Sequence, residues 1–182
     1  MKNKSFLMGI AIWGTTLAVV IAGLFIWCQS SNVAGQQAIA DTYAASSSTP
    51  SDFIPFSNQQ FGFSLSYPPD LVPTQTQEPG GAYTFSFQDP DTNEGFEIYV
   101  TPYPDTKVTE QRFKLDEPSG VMDQPTAVVI GGVTATMFFG HNDILGDTRE
   151  VWFTHDSYLY EVTTFKELDS WLGQIMQTWK FL

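Results

Sequence analysis

Asp89, Asp91, Asn93 and Glu94 bring four oxygen-bearing side chains into the short run DPDTNEG at 89–95. Oxygen ligands at loop positions 1, 3 and 5 are how a calcium loop begins, because a hard divalent cation prefers carboxylate and amide oxygens. The run departs from that pattern in three ways. Pro90 stiffens the place where the chain would wrap the ion, the glycine falls at position 7 rather than 6, and Val100 stands where the closing bidentate acid belongs. A cation held there would be bound weakly, with a dissociation constant of roughly 0.1 to 1 mM. The plainer alternative is a polar hairpin loop.

His141 with Asp143, and His155 with Asp156 and Ser157, supply the residue types of a hydrolase. Such groups do chemistry only where the fold brings base, nucleophile and carboxylate into one cleft. The chain has no G-x-S-x-G elbow and no H-E-x-x-H, and with one cysteine and two histidines it has little from which to build a zinc site. Ser and Asp are turn formers, so 155–157 also reads as a tight turn. No cofactor is expected from these residues.

Charge narrows the partners. All 20 acidic residues lie at or beyond Asp41, where the basic residues are Lys107, Arg112, Lys114, Arg149, Lys166 and Lys180. A surface of that balance repels nucleic acid and anionic headgroups. It leaves a cationic protein or a metal ion as a direct partner, or a charge that merely keeps the protein soluble.

These groups are positioned by two very different parts of the chain. Residues 6–27 (FLMGIAIWGTTLAVVIAGLFIW) contain no charged side chain. As a helix the stretch would be roughly 33 Å long, enough to cross a bilayer core of about 30 Å. Lys2 and Lys4 precede it, which places the N-terminus in the cytoplasm. A cleaved signal peptide would have a shorter apolar core with a small-x-small site close behind, whereas the best such site here, Ala38-Ile39-Ala40, lies well beyond Trp27. A lipobox would put small residues before the cysteine, but Cys28 follows Phe25, Ile26 and Trp27. Gly14, Ala18 and Ala22 recur every fourth residue and offer a face on which a second copy of the span would pack closely. Cys28, the lone cysteine, forms no internal disulfide, so the outer domain must stand on its core alone.

The expected organisation is a cytoplasmic N-terminus (1–5), a transmembrane helix (6–27), a polar linker rich in Ser, Ala, Gln and Thr (28–52), and one extracytoplasmic domain (53–182). The domain alternates. Phe61, Phe63, Leu65 and Tyr67 share one strand face before Pro68-Pro69 stops the ladder. Tyr83, Phe85 and Phe87, then Phe96, Ile98 and Val100, predict a hairpin across 89–95. A second hairpin turns at Gly131-Gly132, and a third at 155–157. Segment 101–125, rich in Pro and charge, predicts only a short helix at 109–115 with Val108 and Thr109 near its start. Leu168, Trp171, Leu172, Ile175, Met176 and Trp179 follow the spacing of an amphipathic helix, with Glu167, Asp169, Gly173 and Gln174 facing away. Lys180, Phe181 and Leu182 would add an edge strand. The expectation is an α+β fold: an antiparallel sheet of about seven strands covered by a C-terminal helix.

Three pieces in order carry a resemblance: the opening FSLSYPPDL (63–71), the long meander, and the closing EVTTFKELDSWLGQIMQTWKFL (161–182). Together they resemble the PsbP-like fold, that of the extrinsic photosystem II subunit P and its non-photosynthetic bacterial relatives. The resemblance spans 53–182 and implies an α/β/α sandwich with a non-enzymatic accessory or binding role. Its motifs constrain packing and name no substrate, and no matching metal-ligand pattern supports carrying over the photosystem role. The expected function is thus a membrane-anchored, extracytoplasmic binding or scaffolding protein of the cell envelope. Its alternatives are an anchored hydrolase using His141 and His155, or a weak calcium-binding module.

Overall fold

The computed structural model describes residues 50–92, 94–142 and 145–182. The expected span at 6–27, with Gly14, Ala18 and Ala22, lies outside them, as do Cys28, most of the linker, Asn93 and Asp143. Among the described residues no helix is long and apolar enough to cross a membrane.

Ten strands and two α-helices are formed by the described residues. Strands β1 (Ile54–Asn58) and β2 (Phe63–Tyr67) form a hairpin, followed by β3 (Val72–Gln77), β4 (Tyr83–Gln88) and β5 (Gly95–Pro102). Helix α1 (Glu110–Asp116) comes next, then β6 (Val121–Ile130), β7 (Val133–Asn142), β8 (Gly146–His155) and β9 (Tyr158–Phe165). Helix α2 (Asp169–Met176) and the short β10 (Lys180–Phe181) close the chain. The main sheet has the antiparallel order β3-β4-β5-β9-β8-β7-β6, and a smaller one has the order β1-β2-β10.

One face of the main sheet is the principal core. Phe85, Phe87, Phe96, Ile98, Val100, Val151, Phe153 and Tyr160 project from it onto Phe63 and Leu65 of β2 and onto Leu172, Ile175 and Met176 of α2. Aromatic rings lock the layers: Phe63 stacks on Trp179 at 4.8 Å and meets Phe85 edge-on at 5.6 Å. The Tyr160 hydroxyl donates to the Phe61 carbonyl at 2.6 Å, so the small sheet is fastened to the large one by a hydrogen bond as well. On the opposite face, Phe113 of α1 packs against Phe138 and Trp152. Strands β5, β8 and β9 are therefore covered on both faces.

The main sheet has seven strands, the number expected from the sequence, and a second sheet of three strands, not expected, stands beside it. Strand β3 is exposed along its whole length, so no apolar alternation marks it, and its Pro73 is tolerated because it lies in an edge strand. Strand β1 covers the core through Phe56 alone among its exposed neighbours. Strand β6 begins at Val121, inside the segment read as irregular, because a register shift between Asp123 and Thr126 absorbs Pro125. Trp179 is buried, yet it lies past the end of α2. Gly173, expected to face away, is buried, and Trp171, expected in the core, is only half-buried. The helix is shorter than its apolar pattern and packs against β2 and β9, so the pattern runs on into a turn and β10.

Candidate functional site

The loop at 89–95 is closed by its own side chains. Asp89 Oδ1 accepts the Asp91 N–H at 2.8 Å, Asp89 Oδ2 accepts the Thr92 hydroxyl at 2.9 Å, and Thr92 Oγ1 accepts the Glu94 N–H at 3.2 Å. The bond from Asp91, then that from Thr92, hold the Asp89 carboxyl below its ordinary range. Gly95 is required where the hairpin rejoins the sheet, since a Cβ there would sit 2.1 Å from the Phe87 carbonyl oxygen. Both Asp89 oxygens thus serve an Asx-type turn.

The two histidines do not converge. His141 Nδ1 lies 2.6 Å from Asp147 Oδ1 across the β7–β8 hairpin, with both side chains more than half exposed. That hydrogen bond, helped by Lys166, lowers the Asp147 carboxyl from its ordinary value. His155 stacks on Phe181 at 3.7 Å and lies 3.4 Å from Asp156. Asp147 and His155 occupy the two ends of β8, and at about 3.3 Å per residue the strand holds them roughly 26 Å apart. The hydrolase arrangement expected as an alternative is therefore not assembled: each histidine keeps a local carboxylate. Asp156 and Ser157 have φ of 46° and 64°, which makes them the left-handed centre of the expected tight turn.

A third set of groups was not singled out from the sequence. Glu97, Glu150 and Glu161 lie on the α1 face of the main sheet, on the three central strands, and are 5%, 5% and 8% exposed. Register brings them together: Thr163 pairs with both Glu97 and Glu150, and Glu161 pairs with Tyr99 and Trp152. Glu150 Oε2 accepts from the Trp152 indole N–H at 3.1 Å and the Thr163 hydroxyl at 2.6 Å. Glu97 Oε2 and Glu161 Oε1 are buried with no hydrogen-bond partner.

Burial raises all three carboxyls. Glu97 is pushed up to about 8, by desolvation first and then by the charges of Glu78 and Glu150. Glu150 is pushed up to about 7 by desolvation, against the hydrogen bonds from Thr163, Thr148 and Trp152. Glu161 is raised well above its ordinary value by desolvation and then by Asp116, whose side chain shares a hydrogen bond with it, while Arg112 opposes the shift. In its protonated form Glu161 is the donor in that contact.

Helix α1 lies against Glu150 and Glu161. Thr109 caps it by accepting the Arg112 N–H at 3.1 Å. Phe113 meets Phe138 at 5.5 Å and Trp152 at 5.4 Å, while Arg112 pairs with Asp116 and lies 5.2 Å from the Tyr103 ring. Beside Glu150, Phe113, Gly140, His141 and Thr148 line a cleft with room for about one water molecule. Gly140 makes that space, because a Cβ there would lie 2.5 Å from Thr148 Oγ1 and 3.3 Å from Glu150 Cγ. Among the described residues no group of three or more His, Cys, Asp or Glu is arranged to hold a metal ion.

No protein-family model matches the chain, and no curated protein matches it in sequence. Among solved structures it is similar to the solution structure of cyanobacterial PsbP (CyanoP) from Synechocystis sp. PCC 6803, with a TM-score of 0.54 and 11% identity. The match covers 73% of this chain and 94% of that one. At that identity the likeness is one of fold: the domain has a PsbP-like fold, with its antiparallel seven-stranded sheet and short C-terminal helix.

Proposed function

We propose that the PsbP-like domain is the exported part of a single-pass membrane protein and serves the cell envelope as a non-catalytic binding or scaffolding module. Support for the anchor comes from the sequence, in which residues 6–27 carry no charge, Lys2 and Lys4 precede them and every acidic residue follows. The preference for binding over catalysis rests on one observation, the separation of His141, on β7 opposite Asp147 at the start of β8, from His155 at the far end of β8, each beside its own carboxylate. The acidic balance of the outer domain favours a partner with a basic surface. Close packing of two spans along Gly14, Ala18 and Ala22 would set two such domains side by side.

Fractionation and cross-linking test this reading. The full chain is expected to stay with membranes through a carbonate wash, to keep its N-terminal residues, and to be cut from the outer side by added protease. A soluble form beginning near Asp41 would overturn the anchor. Cross-linking in intact membranes is expected to give a stoichiometric basic partner, released by high salt. A hydrolytic activity of the purified chain that is abolished by His141→Ala would overturn the non-catalytic reading.

A further inference from the structure

Three carboxyls on one face of the main sheet, two of them against α1 (Glu150 beside Phe113 and Glu161 against Asp116), call for a physical account, because an ionised carboxylate without partners is among the least tolerable groups a protein interior can hold. Two of the oxygens have no partner at all, Glu97 Oε2 and Glu161 Oε1. A buried acid in that position has two ways to lower its free energy. It stays protonated, or whatever covers it moves and lets water in.

The groups around the cluster set the direction. From the sheet, Tyr99 of β5 faces Glu161 of β9, and Glu150 of β8 acts on both Glu97 and Glu161. Glu78, just after β3, acts on Glu97. From α1, Asp116 touches Glu161, and Arg112 is the cation that acts on it, though Arg112 is already paired with Asp116. Glu117, which follows the helix, acts on Glu150, and His141 shares the adjoining cleft. Among the described groups that act on these carboxyls acids predominate, with Arg112 the base that acts on Glu161 and Lys114 of α1 turned to the Gly120 carbonyl at 2.8 Å, so each proton lost adds repulsion. The Asp116–Glu161 contact is the most sensitive, since a hydrogen bond between two carboxyl groups needs a proton to share.

Floor and cover differ in how readily they move. Strands β5, β9 and β8 are each paired on both edges, so they cannot shift without breaking the main sheet. Helix α1 has seven residues, one buried apolar side chain (Phe113) and a single side-chain cap. A helix of that length has little stability of its own, and such elements open locally well before the core does.

We propose that α1 is a proton-operated cover, seated on the sheet while the glutamates beneath it are protonated and lifted when they ionise, so that acid closes the second face and alkali opens it. The raised carboxyls support the direction. A seated α1 holds more protons than a lifted one, so closure is complete at low pH and is lost as pH rises from the ordinary carboxyl range through about 7, where Glu150 ionises. Opening would uncover acids of the central strands together with Phe138 and Trp152, a mixed acidic and aromatic surface that the closed form withholds from a basic partner.

Amide hydrogen exchange of the full chain in detergent, read from pH 5 to 8 and corrected for the intrinsic base-catalysed rate, tests this. Protection of amides 110–116 is expected to fall about tenfold per pH unit for each proton released, while amides of β8 and β9 stay protected. The Glu97→Gln, Glu150→Gln, Glu161→Gln variant is expected to keep α1 protection level across that range. Phe113→Ala is expected to leave α1 unprotected at every pH with the β8 and β9 amides still protected. Protection of α1 in the unaltered chain that does not change with pH, or that falls only together with β8 and β9, would overturn the proposal. So would a pH dependence that persists in the triple glutamine variant; if that variant does not fold, the profile of the unaltered chain decides.

Discussion

Trp179→Ala is the substitution that weighs most heavily on this architecture. The indole is 3% exposed and touches four rings: stacked on Phe63 at 4.8 Å, edge-on to Phe153 at 5.1 Å and Tyr160 at 5.9 Å, and near Phe181 at 6.2 Å. It therefore joins β2 of the small sheet, β8 and β9 of the large one, and β10. Removing a fully buried tryptophan costs about 3 to 5 kcal/mol. One feature reduces that figure, because Trp179 Nε1 is buried without a hydrogen-bond partner and already carries a desolvation penalty of about 1 to 3 kcal/mol. The expected net loss is about 2 to 3 kcal/mol, with Trp179→Phe milder, since it keeps most of the ring contact and removes the orphaned N–H. The comparison that gives the test its force is Trp171→Ala. Trp171 is half-buried and meets one ring, Phe96, at 5.9 Å, so about 1 to 2 kcal/mol is expected for partial burial. Urea denaturation of residues 50–182, followed by near-ultraviolet circular dichroism, gives both losses from midpoints at a shared slope. Equal losses at the two positions would refute the reasoning, because they would mean that the helix stripe, and not the residue beyond it, joins the sheets.

Three further outcomes follow from the geometry. Arg149 is buried, with Nε 2.6 Å from Asp169 Oδ1, Nη2 3.0 Å from Oδ2, and its guanidinium 3.5 Å from the Phe139 ring; Arg149→Met is expected to lower unfolding free energy by about 2 to 4 kcal/mol in the same denaturation assay. Glu97 has a folded pKa near 8, raised by burial above its unfolded value, so its ionisation opposes folding as pH climbs from about 5 to 8. Across that interval the unaltered domain should lose at least about 2 kcal/mol more stability than Glu97→Gln, and parallel stability–pH curves would contradict this. Millimolar calcium should raise the melting temperature of the domain by no more than about one or two degrees, since a ligand at its dissociation constant stabilises by only about 0.4 kcal/mol. A shift saturating at micromolar calcium and lost in Asp91→Ala would instead make 89–95 a binding loop.

Alternation and turn chemistry are local properties, and the sequence determined what depends on them. The hairpins at 89–95, Gly131-Gly132 and 155–157 are where side-chain period and turn residues put them. Thr109 begins α1 and the chain ends in an edge strand, both as their residues suggest. The PsbP-like fold was likewise legible, because the FSLSYPPDL strand and the closing helix-to-strand segment constrain packing. Strand β3 left no such trace, since an edge strand exposed on both faces needs no apolar period. Trp179 kept the helical spacing of the residues before it although the helix had ended, because spacing records which side is apolar and not where the backbone stops turning. The candidate site depended most on tertiary structure. Glu97, Glu150 and Glu161 occupy alternate positions that a strand open on one side would turn to water. The docking of Phe113 on Phe138 and Trp152, and of Asp116 on Glu161, made that side an interior beside Glu150 and Glu161, and burial raises all three acids above the ordinary carboxyl range.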